Sequence, residues 1–282
     1  MLKSRWSAVA LIFLLVSTKA SGTELKPATA KAFDKYAEDT EARIRSEVAD
    51  PDRFLQVDLL PDEQKTSEIA RLQKGEIIVQ SMSTTENGEP LHIPGGLVHH
   101  WIATAFISGA TAEQELKLAQ DYSRYAELYK PDVQEAKTLS QEGQHFQVHY
   151  RFYRHAIVTV LYNVEFDVDY VVPDESKNYS FARAVRIAEI ENAGTPHEHE
   201  YPVGKDHGYL WRLNLYTRCV ERDGGVYVQV EFLALSRTIP AVFAWLVNPY
   251  VHSIPREYLR HYLETTRKAL SMPPAPVTGT PQ

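Results

Sequence analysis

Between Gly208 and Leu270 the sequence changes period once, and that change limits the folds open to the chain. GYLWRLNLYTRCV and GVYVQVEFLALSR alternate in the manner of strands, and Arg222-Asp223-Gly224-Gly225 between them reads as a tight turn. After Thr238-Ile239-Pro240 the period becomes helical: AVFAWLV, an expected break at Asn248-Pro249, then PREYLRHYLETTRKAL. Ser253 and Pro255 suit the start of a renewed helix there. Its apolar face is Leu259, Tyr262, Leu263, Thr266 and Leu270. A long hairpin feeding a long helix suggests a container for an apolar molecule.

Upstream, the pattern predicts an amphipathic surface helix over Ala28–Val48 and a short helix over 62–74. A strand follows over Glu76–Met82, with Asn87-Gly88 as a turn, and then the long strand LVHHWIATAFIS. Thr111, with Glu113 and Gln114 behind it, caps a helix that runs through Tyr129 to Pro131. Strands are expected near Val133–Leu139, His145–Tyr153, Ile157–Val171, Tyr179–Ile190, Tyr209–Val220 and Val226–Arg237. A less regular loop, Asn192–His207, joins the fourth and fifth of these, and Pro273–Gln282 reads as a disordered tail.

The chain of 282 residues is 44% hydrophobic, enough for a real core, and its net charge of −7 argues against nucleic acid and against strong docking on anionic lipid. Lys3, Arg5, the apolar run Ala8–Val16 and the small residues before Ala20 read as a signal peptide over 1–20. The expected address is therefore exported, periplasmic or secreted. Cys219 is the one cysteine, so no internal disulfide or cysteine metal site is available, and its place in the alternation predicts a buried, inert thiol.

The order strand, helix, six strands, long helix, from about Leu97 to Leu270, resembles the START-like superfamily, the helix-grip group with polyketide cyclases and Bet v 1-type proteins. The helix Thr111–Tyr129 with Asp121-Tyr122-Ser123-Arg124-Tyr125, and the strand GVYVQVEFLALSR leading through Ile239-Pro240 into the last helix, carry the resemblance. It implies an α+β helix-grip fold: a curved antiparallel sheet around a long C-terminal helix, with a cavity between. Residues 91–271 would form that domain and 21–90 an N-terminal extension of helix plus short strand, outside the pattern.

Alternation splits the hairpin into two faces. Trp211, Leu213, Leu215, Cys219, Val226, Val228, Val230 and Phe232 form one. Leu210, Arg212, Asn214, Tyr216, Arg218, Tyr227, Gln229, Glu231, Leu233, Leu235 and Arg237 form the other. Two readings of the second face stand. In one it meets water and pairs its charges across the hairpin. In the other it lines the cavity, and Arg186, Arg212, Asn214, Tyr216, Tyr227, Glu231 and Arg237 are ligand-binding groups, with Glu231 as partner to a buried arginine.

His197, His199, His207 and Asp206 have the types for a metal site, yet nothing fixes their second shell, and a polar loop is the commoner outcome. His99 and His100, adjacent on a strand, point to opposite faces. Glu165, Asp167 and Asp169 share a strand face, read as exposed. Asn178-Tyr179-Ser180 matches a glycosylation acceptor. No G-x-S-x-G, H-E-x-x-H or phosphate loop occurs. Three functions follow: a carrier of a lipid or other hydrophobic or amphipathic small molecule, with no cofactor and with transient membrane contact left open; a cyclase- or hydrolase-type enzyme using Arg212, Glu231 and Tyr216; or an interaction module that engages a partner through residues 23–90. The reading leans toward the carrier.

Overall fold

The structure, a computed structural model, describes residues 23–86, 88–155, 159–238 and 241–271. The signal peptide, the Ile239-Pro240 hand-over and the C-terminal tail lie outside the described residues. Two helices open the chain, α1 (Pro27–Val48) and α2 (Asp62–Gln73). Then come β1 (Ile78–Ser81), β2 (Gly96–Ser108) and α3 (Ala112–Gln120). Six long strands follow: β3 (Val133–Glu142), β4 (His145–His155), β5 (Thr159–Asp174), β6 (Lys177–Glu191), β7 (Arg212–Arg222) and β8 (Gly225–Arg237). The chain closes on α4 (Ala241–Ser271).

The eight strands make one antiparallel sheet in the order β1-β2-β8-β7-β6-β5-β4-β3, so the first long strand pairs with the last. The chain is thus α+β, with a large sheet gripping a terminal helix, as its sequence implied. The β7–β8 turn is closed by Asp223 (φ 59°) and Gly224 (φ 76°) between paired Arg222 and Gly225. Positive φ at both central residues gives the twist that a tight hairpin needs. Gly225 is required for a second reason: a Cβ there would lie 2.3 Å from the Ile107 carbonyl oxygen on β2.

Three expectations need correction. The helix after Thr111 does not run unbroken to Tyr129. Thr111 Oγ1 accepts from the Gln114 backbone N–H and Gln114 Oε1 accepts from that of Thr111, but α3 stops at Asp121 (φ −87°, ψ 68°). A short 3-10 turn, Tyr122–Arg124, and one helical turn, Tyr125–Leu128, carry on from there. Secondly, α4 is helical throughout Ala241–Ser271, so neither Pro249 nor Pro255 breaks it. Thirdly, α1 is a surface helix whose buried stripe is wider than its apolar residues. Phe33, Tyr36, Ala37 and Ile44 are buried at helical spacing, and Thr40, Glu41 and Glu47 are buried on the same stripe.

The hydrophobic interior divides by sheet face. On the concave side Leu259 and Leu263 of α4 pack with Ala103 and Ala105 of β2 and Val228 and Val230 of β8. Beside them an aromatic cluster holds Tyr122, Tyr125, Tyr129, Tyr150 and Phe166. On the convex side α1 packs Phe33, Tyr36 and Ile44 against Phe181, Tyr216, Leu233 and Leu235. The segment after it packs Phe54, Leu55, Val57 and Leu72 against Phe106 and Tyr227. The N-terminal extension therefore covers the chain's own sheet.

Candidate functional site

The main recess lies on the concave side. A cavity of about 70 Å³ sits between the sheet and α4, lined by seven tyrosines: Tyr122, Tyr125, Tyr129, Tyr150, Tyr170, Tyr258 and Tyr262. The pieces after α3 supply the first three, β4 and β5 the next two, and α4 the last two. Phe152, Phe166, Leu215 and Val230 add apolar wall, and Ser180 and Thr217 stand opposite each other in register between β6 and β7. The rings hold one another: Tyr129 stacks on Tyr262 at 4.9 Å and 11°, and Tyr150 on Phe152 at 5.0 Å and 7°.

Several hydroxyls close on protein groups. Tyr122 and Tyr170 share a hydrogen bond of 2.7 Å, and Tyr170 and Tyr125 donate to the Ala119 carbonyl at 2.8 and 2.6 Å. Tyr129 pairs with Thr266 Oγ1 at 3.1 Å. Burial pushes the Tyr129 hydroxyl up to about 12 and those of Tyr125, Tyr150, Tyr170 and Tyr262 well above the usual phenol range, so all stay protonated near neutrality. Asp132 and His261 also line the cavity, but Asp132 pairs with Arg154 at 3.3 Å and His261 Nε2 with the Lys130 carbonyl at 3.1 Å. Among the described lining residues there is no lysine or arginine.

None of the seven residues expected to bind ligand lines this cavity. The face that carries Asn214, Tyr216, Tyr227 and Glu231 meets neither the cavity nor water, because the N-terminal extension buries it. Glu231 is 1% exposed. It accepts from His100 Nε2 at 2.6 Å and from Arg43 of α1, with Arg218 at 3.8 Å. Arg218, also 1% exposed, donates to Glu47 Oε2 at 2.7 Å and to the Phe54 carbonyl at 2.9 Å. The Thr84 backbone N–H donates to Tyr36 at 2.7 Å, and that hydroxyl meets His100 Nδ1 at 2.9 Å. Because a carboxylate only accepts, His100 Nε2–H donates to Glu231. Burial pushes the Glu231 carboxyl up, but the His100 hydrogen bond and the Arg43 and Arg218 charges outweigh it and hold the group below its usual range.

The other expected ligands fall around this seam. Asn214 donates to the Tyr216 hydroxyl at 2.9 Å, and Tyr216 reaches Glu41 at 3.4 Å. Tyr227 donates to Asp223 at 2.8 Å. Arg237 donates to Thr23 Oγ1 at 3.2 Å, and half-buried Arg212 folds back onto the Trp211 carbonyl at 3.0 Å. Trp211 packs with Phe33 on the convex side and Leu210 against the concave cluster, since regular alternation begins only at Arg212. Arg186 does not share a face with Ala182 and Ala184. The β5–β6 register shifts where Glu165 pairs with Arg186 and Phe166 with Ala184, so Val185 is an extra residue. Arg186 consequently joins Glu200 and Glu165 on the outer surface.

Of the remaining motifs, Asp169 pairs with His145 and Arg183, each at 2.8 Å, on the half-exposed outer face. His99 and His100 do point oppositely, toward Ser236 and Glu231. His207 Nδ1 meets Glu189 at 2.5 Å and His199 Nε2 meets Glu191 at 3.0 Å. Asp206 accepts from the Gly208 backbone N–H at 2.6 Å, so these groups do not converge. Asn178 is 4% exposed and donates to the Ala112 carbonyl at 3.2 Å, which leaves no room for a glycan. Cys219 is fully buried and burial pushes its thiol up, as befits an inert residue. Beside it Glu115 of α3, 2% exposed and with Oε2 unpartnered, is pushed up by burial to about 7.

No protein-family model matches the chain, and no curated protein matches its sequence. Among solved structures it is similar to a STAR-related lipid transfer protein fragment from Xanthomonas axonopodis, at 17% identity over 68% of this chain and 99% of that one, with a TM-score of 0.45. It is also similar to the Zhui aromatase/cyclase from Streptomyces sp. R1128, at 11% identity over 62% and 94% of the two chains and a TM-score of 0.41. Human STARD10 aligns at 10% identity over 75% and 80%, with a TM-score of 0.41. The helix-grip assignment rests on this chain's own strand order and terminal helix.

Proposed function

We propose that the protein binds a hydrophobic small molecule in the tyrosine-lined cavity between the sheet and α4, without transforming it. The observation that carries this reading is a recessed aromatic space whose titratable lining groups are already engaged or kept neutral. Ser180 and Thr217, its hydroxyl side chains on the sheet, have no imidazole or carboxylate hydrogen-bonded to them among the described residues, so no activated nucleophile stands there. At about 70 Å³ the cavity is smaller than the roughly 300 Å³ at which small-molecule pockets begin. Ligand uptake therefore requires the rings on α4, Tyr258 and Tyr262, to part from those on the sheet side.

The basic residues Lys3 and Arg5, the apolar run Ala8–Val16 and the small residue Ala20 support an exported, periplasmic or secreted protein. Two measurements test the proposal. The intact mass of the secreted product should correspond to a chain beginning at Ser21. Native mass spectrometry of the same material should show an adduct that is lost on denaturation and absent from a Tyr262→Trp variant, whose larger ring fills the space. A chain that carries no adduct and takes up no added hydrophobic probe overturns the binding reading.

A further inference from the structure

Tyr150 stands apart from Tyr170, the other tyrosine that the sheet gives the cavity. It is 8% exposed, lines the space, and its hydroxyl makes no hydrogen bond among the described residues. The hydroxyls of Tyr122, Tyr125, Tyr129 and Tyr170 are all engaged by the protein. A buried tyrosine ordinarily finds a partner for its O–H, so a free one facing a cavity marks where a ligand atom belongs. The ring itself cannot drift. It is stacked on Phe152 and met edge-on by Phe166 at 5.5 Å and 87° and by Tyr122 at 6.1 Å and 85°. Tyr258, across the space on α4, likewise has an uncommitted hydroxyl among the described residues.

The charge environment narrows the ligand further. No lysine or arginine lines the space, and its one carboxylate, Asp132, already occupies the nearby Arg154. An anionic head would be desolvated there with nothing to compensate it. A plain hydrocarbon would leave the Tyr150 O–H unpaired.

Resting on the cavity-binding reading above, we infer that the ligand is an uncharged hydrophobe bearing an oxygen acceptor, a carbonyl, ether or hydroxyl, and that Tyr150 donates its O–H to that oxygen. Burial holds the Tyr150 hydroxyl well above the usual phenol range, so the donor persists across any physiological pH.

The test uses three probes of one shape, acetophenone, ethylbenzene and benzoate, titrated by ligand-observed NMR into the wild type and into Tyr150→Phe and Tyr258→Phe. Acetophenone should bind wild type about tenfold more tightly than ethylbenzene, the worth of one hydrogen bond in a dry site, and benzoate should bind weakest. Tyr150→Phe should erase the acetophenone advantage and leave ethylbenzene unchanged, with an unchanged melting temperature as the check on folding. Tyr258→Phe should retain most of the advantage. Ethylbenzene binding as tightly as acetophenone, benzoate binding tightest, or an acetophenone preference that survives Tyr150→Phe would each overturn the inference while leaving the cavity as a binding site. Failure of all three probes to bind would overturn both.

Discussion

Val230 and Glu231 are neighbours on β8, and their side chains leave the sheet in opposite directions. Val230 helps line the cavity, whereas Glu231 enters a seam with Arg43, His100 and Arg218 beneath α1. Both destinations are buried, yet they are furnished differently. The cavity side is mostly aromatic, with spare hydroxyls and one carboxylate, Asp132, held by Arg154. The seam side pairs its charges largely with one another, with Glu231 Oε2 and Arg218 Nε left without a hydrogen bond. Polarity in a buried face is therefore a poor marker of a binding site.

The largest effect expected from breaking that contrast is in the seam. Arg218→Ala leaves Glu47 and Glu231 buried beside each other, and should cost about 3–5 kcal/mol in urea unfolding. Acetophenone affinity in the surviving folded fraction should not move. A loss of affinity without loss of stability would return Glu231 to the ligand site.

Glu115 gives the next effect, with a definite sign. Its carboxyl rises from 4.5 to about 7 on folding, so the folded state holds the proton more tightly than the unfolded one. The stability this contributes is complete below pH 4.5 and is lost as pH rises through 7, ~3 kcal/mol in all. Glu115→Gln should flatten that part of the profile, read as the difference between wild type and variant melts from pH 4.5 to 8. Identical slopes would show that Glu115 is solvated.

Smaller effects sharpen the boundary of each region. Thr111→Ala removes the cap of α3 and should cost about 1 kcal/mol in thermal unfolding. Arg186→Ala breaks a half-exposed pair on the outer surface, and should change stability by less than about 1 kcal/mol and probe binding not at all.

Strand period made most of the architecture legible. The six strands from Val133 to Arg237 and the Asp223-Gly224 turn stand where alternation and turn chemistry put them. The function of the second hairpin face was not legible, because alternation assigns residues to a face without saying what covers it. The cover is α1, whose buried stripe mixes Phe33, Tyr36 and Ile44 with Glu41 and Glu47, so its pattern reads as a surface helix. Arg186 was misplaced by one inserted residue, Val185, which no periodicity announces. The cavity left a fainter trace. Tyr122, Tyr125 and Tyr262 fall at helical spacing, where they read as ordinary core, and only the total of 16 tyrosines hints that rings gather in one place.

The pairing of β2 with β8 has a consequence for how the chain reaches this state. His100 waits for Glu231, 131 residues later, and Arg43 for the same carboxylate across 188 residues. Until β8 exists, Arg43 of α1 lacks its carboxylate on the sheet and β2 lacks its central neighbour. Contacts this distant make folding slow, since loop closure precedes any reward. The meander β3–β6 needs only its own neighbours in sequence, whereas the closing of β2 and of Arg43 of α1 onto the sheet waits for the last hairpin.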